Sequence, residues 1–165
     1  MTLEEMYKQI AIDIQNLDIP FLALTIVRDN IEERRVDGLG AKNQNEITLP
    51  EYSTRAGFYK KPLTKDKKKY YSGGYKQFKN SEYGKSNKLF LTGELLGSIS
   101  LVKISQEQSK LVIVGTMNQT KATELAEKGY YFFDYTNKDI KQIEVFVEIS
   151  IQSILDKYKN VNLTL

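Results

Sequence analysis

The stretch between Ala41 and Lys88 has no regular hydrophobic period, and it limits what the chain can fold into. Proline or glycine interrupts it at short intervals, at Pro50, Gly57, Pro62, Gly73, Gly74 and Gly84. Because proline lacks a backbone donor and glycine favours turns, a long helix or strand does not fit here. Six of the eleven tyrosines nevertheless lie between Tyr52 and Tyr83, which is unusual for a disordered linker. The pattern predicts a long Tyr-rich loop or arm over residues 41–88.

Helical patterns precede this segment. Thr2 and Glu5 have capping-box spacing, and apolar residues then recur three and four positions apart. Pro20 breaks or kinks this helix, and Asp18 is placed to cap a second one. The second apolar stripe ends in the charged run at residues 32–35. The sequence therefore predicts two helical pieces, or one kinked helix, before the loop.

Strand and helix patterns follow the loop. Residues 98–105 and 110–115 are rich in β-branched residues, and the polar residues between them are typical of a hairpin connection. Thr136 and Asp139 supply an acidic cap to a final helix whose apolar residues repeat at helical spacing as far as Tyr158. We expect an α+β fold, with N- and C-terminal helices packed on a small antiparallel sheet.

Two shorter elements complete the expected single domain. Thr92 is placed to cap a short helical turn, and residues 118–129 form a polar turn-and-helix piece. The chain has 165 residues, a length that suits one domain, and we assign residues 1–165 to it.

Composition excludes several kinds of chemistry. The chain has no cysteine and no histidine, which excludes disulfide frameworks, thiol nucleophiles, imidazole zinc ligands and Ser-His triads. Two carboxylate pairs, Glu124 with Glu127 and Glu144 with Glu148, lie where solvent-facing charges belong. We therefore expect no enzyme activity, no cofactor and no metal site.

The N-terminal end of the sequence does not have the pattern of a secretion signal. Its first residues are acidic, where a signal peptide would be basic. The longest apolar-rich stretch, residues 19–27, is shorter than the roughly 20 residues that span a bilayer. We expect a soluble protein without a membrane segment.

Charge is concentrated in the middle of the chain. Between Arg55 and Lys88, eleven residues are basic and two are acidic, a balance of +9, whereas the whole chain carries +3 and the remainder −6. Three readings fit this pattern: a solvated surface, a nucleic-acid contact, or an assembly arm that reaches the acidic body of a neighbouring copy.

The candidate interaction residues, for a subunit or for DNA, are the basic and aromatic side chains of this segment. They are Arg55, Lys60, Lys61, Lys67, Lys68, Lys69, Tyr70, Tyr71, Tyr75, Lys76 and Lys79. In the assembly reading, Tyr70, Tyr71 and Tyr75 are apolar anchors and the three consecutive lysines supply complementary charge.

An ordered series of motifs carries a family resemblance. In chain order these are an N-terminal helix, Pro62-Leu-Thr-Lys, Tyr70-Tyr-Ser-Gly-Gly-Tyr-Lys-Gln-Phe-Lys, Leu91-Thr-Gly-Glu-Leu-Leu-Gly-Ser-Ile, Leu111-Val-Ile-Val-Gly, and Tyr131-Phe-Phe-Asp before a closing helix. This order resembles the tail-completion and neck proteins of tailed bacteriophages, a group that includes the virion-morphogenesis proteins of Mu-like phages.

The resemblance implies a structural role in the virion. Such proteins form symmetric rings, often hexameric or dodecameric, between portal and tail tube. They are assembled in the host bacterial cytoplasm, contact other neck, portal or tail-tube proteins, and surround a channel for DNA. Connector, head-closure and tail-terminator roles all remain open. A nucleic-acid-binding accessory protein is the alternative, and a nuclease that uses Tyr or Lys is a third reading.

Overall fold

The computed structural model describes residues 1–61, 64–84 and 94–162, and confirms the α+β class. The elements in chain order are α1 (Leu3–Gln15), α2 (Ile19–Val36), β1 (Leu39–Lys42), β2 (Asn45–Thr48), β3 (Gly57–Tyr59), β4 (Lys69–Tyr71), α3 (Gly74–Tyr83), α4 (Glu94–Gly97), β5 (Ile99–Lys103), β6 (Ser109–Ile113), α5 (Thr116–Glu127) and α6 (Asn137–Tyr158).

The predicted capping box at Thr2 is confirmed, and the predicted acidic cap at Thr136 and Asp139 is also a capping box. At the start of α1, the backbone N–H of Glu5 donates to the Thr2 hydroxyl at 3.2 Å, and the Thr2 N–H donates to the Glu5 carboxylate at 2.8 Å. At the start of α6, Asp139 and Thr136 exchange the same two bonds, at 3.2 and 2.7 Å. These bonds satisfy backbone donors that a helix N-terminus leaves unpaired.

The predicted cap at Asp18 is wrong in its mechanism. Asp18 does precede α2, but its side chain makes no capping hydrogen bond and its backbone is left-handed, with φ +48°. Its carboxylate instead forms an ion pair with Lys103 of β5. A residue in this conformation turns the chain between α1 and α2, so the ion pair ties that turn to the β5–β6 hairpin.

One finding differs from the expectation about membranes. The helical stretch Leu3–Val36 is long and apolar enough to cross a membrane by length and composition alone, with a mean hydropathy of 1.6 over 18 residues of which 6% are buried. This is weak evidence, because core helices and signal sequences pass the same test. The stretch is also interrupted by the left-handed Asp18, and Asp13 within it accepts a hydrogen bond from the Tyr158 hydroxyl at 3.0 Å.

Antiparallel pairing is present as predicted, but it is divided among three two-stranded sheets, β1–β2, β3–β4 and β5–β6. The predicted hairpin is β5–β6, in which Ile99 lies opposite Ile113. The β1–β2 hairpin turns at Asn43 and Gln44, whose φ angles of +52° and +63° are those of a two-residue primed turn. Helix α2 contacts the first and third hairpins and α6, which places it at the centre of the fold.

The segment predicted as a loop is more regular than the sequence indicated. It contains the end of β1, all of β2, the β3–β4 hairpin and helix α3. Pro62, Leu63 and residues 85–88 of the predicted loop lie outside the described residues, as does Thr92, the predicted cap of a short turn. The turn itself is present as α4, and the predicted polar helix near residues 118–129 is α5.

The core combines a few apolar side chains with a buried ion pair. The buried apolar residues of the described chain are Val27, Ile31, Ala41, Leu49, Phe78, Leu95, Phe132 and Ile154. Arg34 of α2 donates to both carboxylate oxygens of Asp139 at 2.8 and 2.6 Å, and to the Asp134 carbonyl at 2.6 Å. Asn30 adds a bond of 2.8 Å to the same carboxylate. We call these four residues the Arg34–Asp139 junction; it fixes α2 to the start of α6.

Candidate interaction surface on the basic hairpin

The β3–β4 hairpin presents two different aromatic faces. Phe58 lies opposite Tyr70 in the register, and Gly57 lies opposite Tyr71. Because successive side chains of a strand point to opposite sides, Phe58 and Tyr70 share one face while Tyr59 and Tyr71 share the other. We call residues 57–71 the basic hairpin, and Phe58 with Tyr70 the outer pair.

The outer pair is exposed. Phe58 is 65% exposed and Tyr70 is 59% exposed, although their ring centroids lie only 5.3 Å apart. Cross-strand aromatic contacts of this kind stabilise a hairpin modestly, by roughly 0.2–1 kcal/mol. The contact between the two rings therefore contributes little to the stability of the hairpin, and the outer pair is a candidate contact surface.

Exposed lysines lie in the same segment as the outer pair, although Lys69, opposite Tyr59 in the register, is on the other face of the hairpin. Lys60, Lys67, Lys68 and Lys69 are exposed and, within the described residues, form no ion pair. The hairpin segment contains six lysines and one aspartate. Aromatic rings beside unpaired cations suit a partner that is anionic and offers flat or apolar groups.

The inner face is fixed in an aromatic cluster centred on Phe78, which is 2% exposed. The Phe78 ring centroid lies 5.4–6.0 Å from the centroids of four tyrosine rings, Tyr59, Tyr71, Tyr75 and Tyr83. Tyr52 and Tyr130 extend this aromatic cluster. Burial raises the pKa of Tyr75 to about 12. Tyr71 and Tyr75 thus support the hairpin from within the chain, and are not exposed anchors.

A polar link joins the hairpin to α3. Lys61 lies 2.9 Å from a Glu82 carboxylate oxygen, and the Tyr71 hydroxyl donates to the other oxygen, also at 2.9 Å. The hydrogen bond from Lys61, followed by that from Tyr71, lowers the pKa of Glu82, and the Glu82 partner raises the pKa of Lys61. Lys61 is therefore engaged internally and holds one end of the connection between the strands.

A close approach of two backbones positions the hairpin against α3. Gly74 has φ +65°, and a Cβ built on it would lie 2.4 Å from the Arg55 carbonyl oxygen. Only glycine fits both this conformation and this distance. The Tyr59 hydroxyl reaches the same carbonyl at 3.5 Å. Arg55, which is exposed, therefore lies beside the hairpin where the chain enters β3.

The remaining two candidates are on α3 and differ from each other. Lys76 forms an ion pair with Glu51 at 3.0 Å on the surface. Lys79 is 2% exposed, its Nζ lies 4.6 Å from the centroid of the Tyr83 ring, and within the described residues that Nζ has no hydrogen-bond partner. Burial, with the nearby Arg35 as a smaller cause, lowers the pKa of Lys79 to about 8. Lys79 is therefore a core residue and does not belong to the exposed surface.

The eleven candidate interaction residues therefore fall into groups that differ in exposure. The structure leaves Arg55, Lys60, Lys67, Lys68, Lys69 and Tyr70 exposed, engages Lys61, Tyr71, Tyr75 and Lys76 with other parts of the chain, and buries Lys79. Sequence reasoning missed Phe58. The only signal in the sequence was that two short aromatic segments, Gly57-Phe-Tyr and Lys69-Tyr-Tyr, could pair as strands. The sequence between them does not determine the register of that pairing, and therefore does not show which rings share a face.

Elsewhere in the described part of the chain, little supports a catalytic or metal site. Glu124, Glu127, Glu144 and Glu148 are all exposed. Among the described residues, no cluster of three potential acidic, His or Cys metal ligands is found. A cleft of about 620 Å³ lies between β6, α5 and residues 130–134, and Asp134 is the one carboxylate that lines it. These features offer no general acid–base pair to weigh against the hairpin surface.

Comparison of the chain with protein-family models, with curated proteins and with solved structures finds no match.

Proposed function

We propose that this protein is a structural subunit of a tailed-phage neck, forming a ring as a connector, head-closure or tail-terminator protein. The observation that carries the proposal is the exposed outer pair, in a segment whose exposed lysines form no ion pair within the described residues, on a hairpin whose other face is fixed by Phe78. A hairpin with exposed aromatic rings on its outer face suits a protein that functions by binding other subunits. The ordered series of motifs that resembles neck proteins supports the same proposal.

The basic hairpin docks on the acidic body of a neighbouring copy. Residues outside Arg55–Lys88 sum to −6, so a second copy offers charge of the opposite sign. Phe58 and Tyr70 supply the area that is removed from water, and Lys67 to Lys69 supply complementary charge at the rim. Because hairpin and body are different surfaces, such contacts join copies head to tail and close into a ring if the rotation permits.

The test replaces the outer pair, Phe58→Ser with Tyr70→Ser. Val102→Ser with Ile104→Ser is the matched control, because these residues are 37% and 56% exposed on a different hairpin. Negative-stain microscopy and light scattering at low and high salt should show rings for the unmodified chain and the control, and no rings for the outer-pair variant. Rings that persist without the outer pair would contradict the assigned contact.

The same surface favours a second candidate, a nucleic-acid-binding accessory protein. Exposed rings beside lysines suit single-stranded DNA, in which bases stack on aromatic side chains and lysines neutralise phosphates. In that case, Lys67→Ala, Lys68→Ala and Lys69→Ala together should weaken DNA binding and reduce its salt dependence. The outer-pair variant should weaken binding with little change in that dependence. Binding that is absent, or insensitive to salt, rules this candidate out.

A further inference from the structure

A second exposed apolar surface lies on the helices, away from the basic hairpin. It is a groove of about 650 Å³ between α2 and α6. Apolar side chains of both helices line it: Ile26, Val145, Phe146 and Ile149. Val145 is 54% exposed and Ile149 is 63% exposed, so the groove is open along its α6 side.

The rim of this groove is basic near the start of α6. Lys138 and Lys141 line it there, and both are exposed. Asp29 also lines the groove and pairs with Arg28 at 2.9 Å, so two lysines and one carboxylate line it. An occupant that brings apolar side chains and a negatively charged end therefore fits the groove better than a neutral or basic one.

Helix α1 offers exposed apolar side chains and an acidic first turn. None of its residues is fully buried, and Leu3 and Tyr7 remain 49% and 62% exposed. Leu3 and Tyr7 lie one turn apart on the same side of the helix, and we call these two residues the α1 ridge. The first turn carries Glu4 and Glu5, with Glu4 paired to Lys8 on the helix surface.

The ridge does not occupy the groove of its own chain. Tyr7 would be covered if it did, and it is the more exposed of the two ridge residues. Helix α1 meets α6 near the opposite end from the lysines, where the Tyr158 hydroxyl donates to Asp13 at 3.0 Å. Ridge and groove are thus free at the same time in one chain.

We propose that the groove between α2 and α6 receives the α1 ridge of a second copy of this chain. Tyr7 and Leu3 pack on Val145 and Ile149, and the acidic first turn lies near the rim lysines. Because ridge and groove are different patches, the contact is head to tail and repeats from copy to copy. It rests on the proposed self-assembly and deepens it, since it supplies a second contact between neighbours besides the basic hairpin.

The test uses two variants of the full chain, each defective in one half of the contact. The ridge variant is Tyr7→Asp, and the groove variant is Val145→Asp with Ile149→Asp. Ile12→Asp on another side of α1 and Leu155→Asp on another side of α6 are matched controls, with Ile12 47% and Leu155 38% exposed. All these positions are exposed, and circular dichroism checks that each variant keeps its helices. The milder Tyr7→Ser and Ile149→Ser changes replace any variant that does not.

Analytical ultracentrifugation then measures self-association. The unmodified chain and both controls should assemble, and the ridge and groove variants should each associate at least about tenfold more weakly. When Phe58→Ser and Tyr70→Ser are added to both defective variants to remove the hairpin contact, mixing the two should give one-to-one dimers and nothing larger, because only one intact ridge and one intact groove can meet.

Each other result overturns the inference in a distinguishable way. Rings that persist in both defective variants would refute the α1 contact and leave the proposed neck function standing. A mixture that does not pair would refute head-to-tail docking. An unmodified chain that stays monomeric at about 1 mM would refute both the contact and spontaneous ring formation.

Discussion

The basic hairpin and the Arg34–Asp139 junction use charge in opposite ways. On the hairpin, five of the six lysines are exposed and, within the described residues, have no ion-pair partner. At the junction, Asp139 is 1% exposed and Arg34 is 7% exposed, and the pair is held by several short hydrogen bonds. Exposed charges contribute little to stability, whereas a buried charge that loses its partner is strongly destabilising. The junction therefore maintains the fold, and the hairpin is free to serve a partner.

The largest expected effect is on the junction. Arg34→Ala should lower the free energy of unfolding by about 3–5 kcal/mol, because Asp139 is left buried without its cation. Urea unfolding followed by circular dichroism measures this loss. Arg28→Ala, which removes the exposed pair with Asp29, is the control and should change stability by no more than about 1 kcal/mol. Equal losses in the two variants would contradict the difference drawn between buried and exposed charge.

Lys79 extends the comparison between buried and exposed charge. It is a buried cation, but within the described residues its ammonium group lacks hydrogen-bond partners of the kind that Arg34 has at the junction. Its pKa of about 8 in the folded chain lies below its ordinary value of 10.5, so the unfolded chain binds more protons between these values and stability should rise with pH there. Lys79→Met should raise the free energy of unfolding by about 1–3 kcal/mol at neutral pH and remove this rise.

Unfolding curves between about pH 7 and about pH 8.5 measure the effect of Lys79, before the tyrosines of the unfolded chain, with a pKa of about 10, ionise appreciably. Lys76→Met, on the same helix but at the surface, should leave the pH dependence unchanged. A Lys79→Met variant that is less stable than the unmodified chain would mean that the ammonium group is well paired.

An intermediate case is the half-exposed pair Lys61–Glu82. The pKa of Glu82 is lowered in the folded chain, so its contribution to stability is present above the ordinary value of 4.5 and is lost as the pH falls through the folded pKa. Glu82→Gln should therefore destabilise the chain at about pH 7, by less than Arg34→Ala does, and should have little effect at about pH 3. Thermal unfolding at both pH values tests this, and a deficit that stays constant with pH would contradict it.

The smallest effect on stability is expected for the exposed lysines. Lys67→Ala, Lys68→Ala and Lys69→Ala should together change the free energy of unfolding by no more than about 0.5 kcal/mol, because all three side chains are exposed. The same variant should lose most of the salt dependence of assembly. A chain that unfolds when these lysines are removed would show that the hairpin lysines are structural after all.

The parts of the fold that were predicted correctly depend on residues that are close together in the sequence. The caps at Thr2 and Thr136 are confirmed, because a cap depends on residues three positions apart. The β5–β6 hairpin is also confirmed, because its strands are close in sequence. The β1–β2 hairpin was not predicted, since strands of four residues are too short for alternation to be recognised, and its Asn43-Gln44 turn lacks glycine.

Long-range partners account for what was not predicted. The charged run at residues 32–35 ends the apolar stripe of α2, yet Arg34 within it is buried, because Asp139 arrives from a helix more than a hundred residues later. In the candidate surface, composition identified the basic segment but did not separate its exposed lysines from the buried Lys79. It could not decide which rings face outward, because that depends on the register between β3 and β4 and on the position of Phe78.

The aromatic cluster also gives the protein an optical signature of its own fold. The chain has eleven tyrosines and no tryptophan, and six of these tyrosines belong to the cluster around Phe78. Rings held in fixed mutual orientations give near-ultraviolet circular dichroism, and that signal disappears when specific packing is lost even if helices remain. The near-ultraviolet spectrum should therefore report the docking of α3 and the basic hairpin, while the far-ultraviolet spectrum follows α1, α2 and α6.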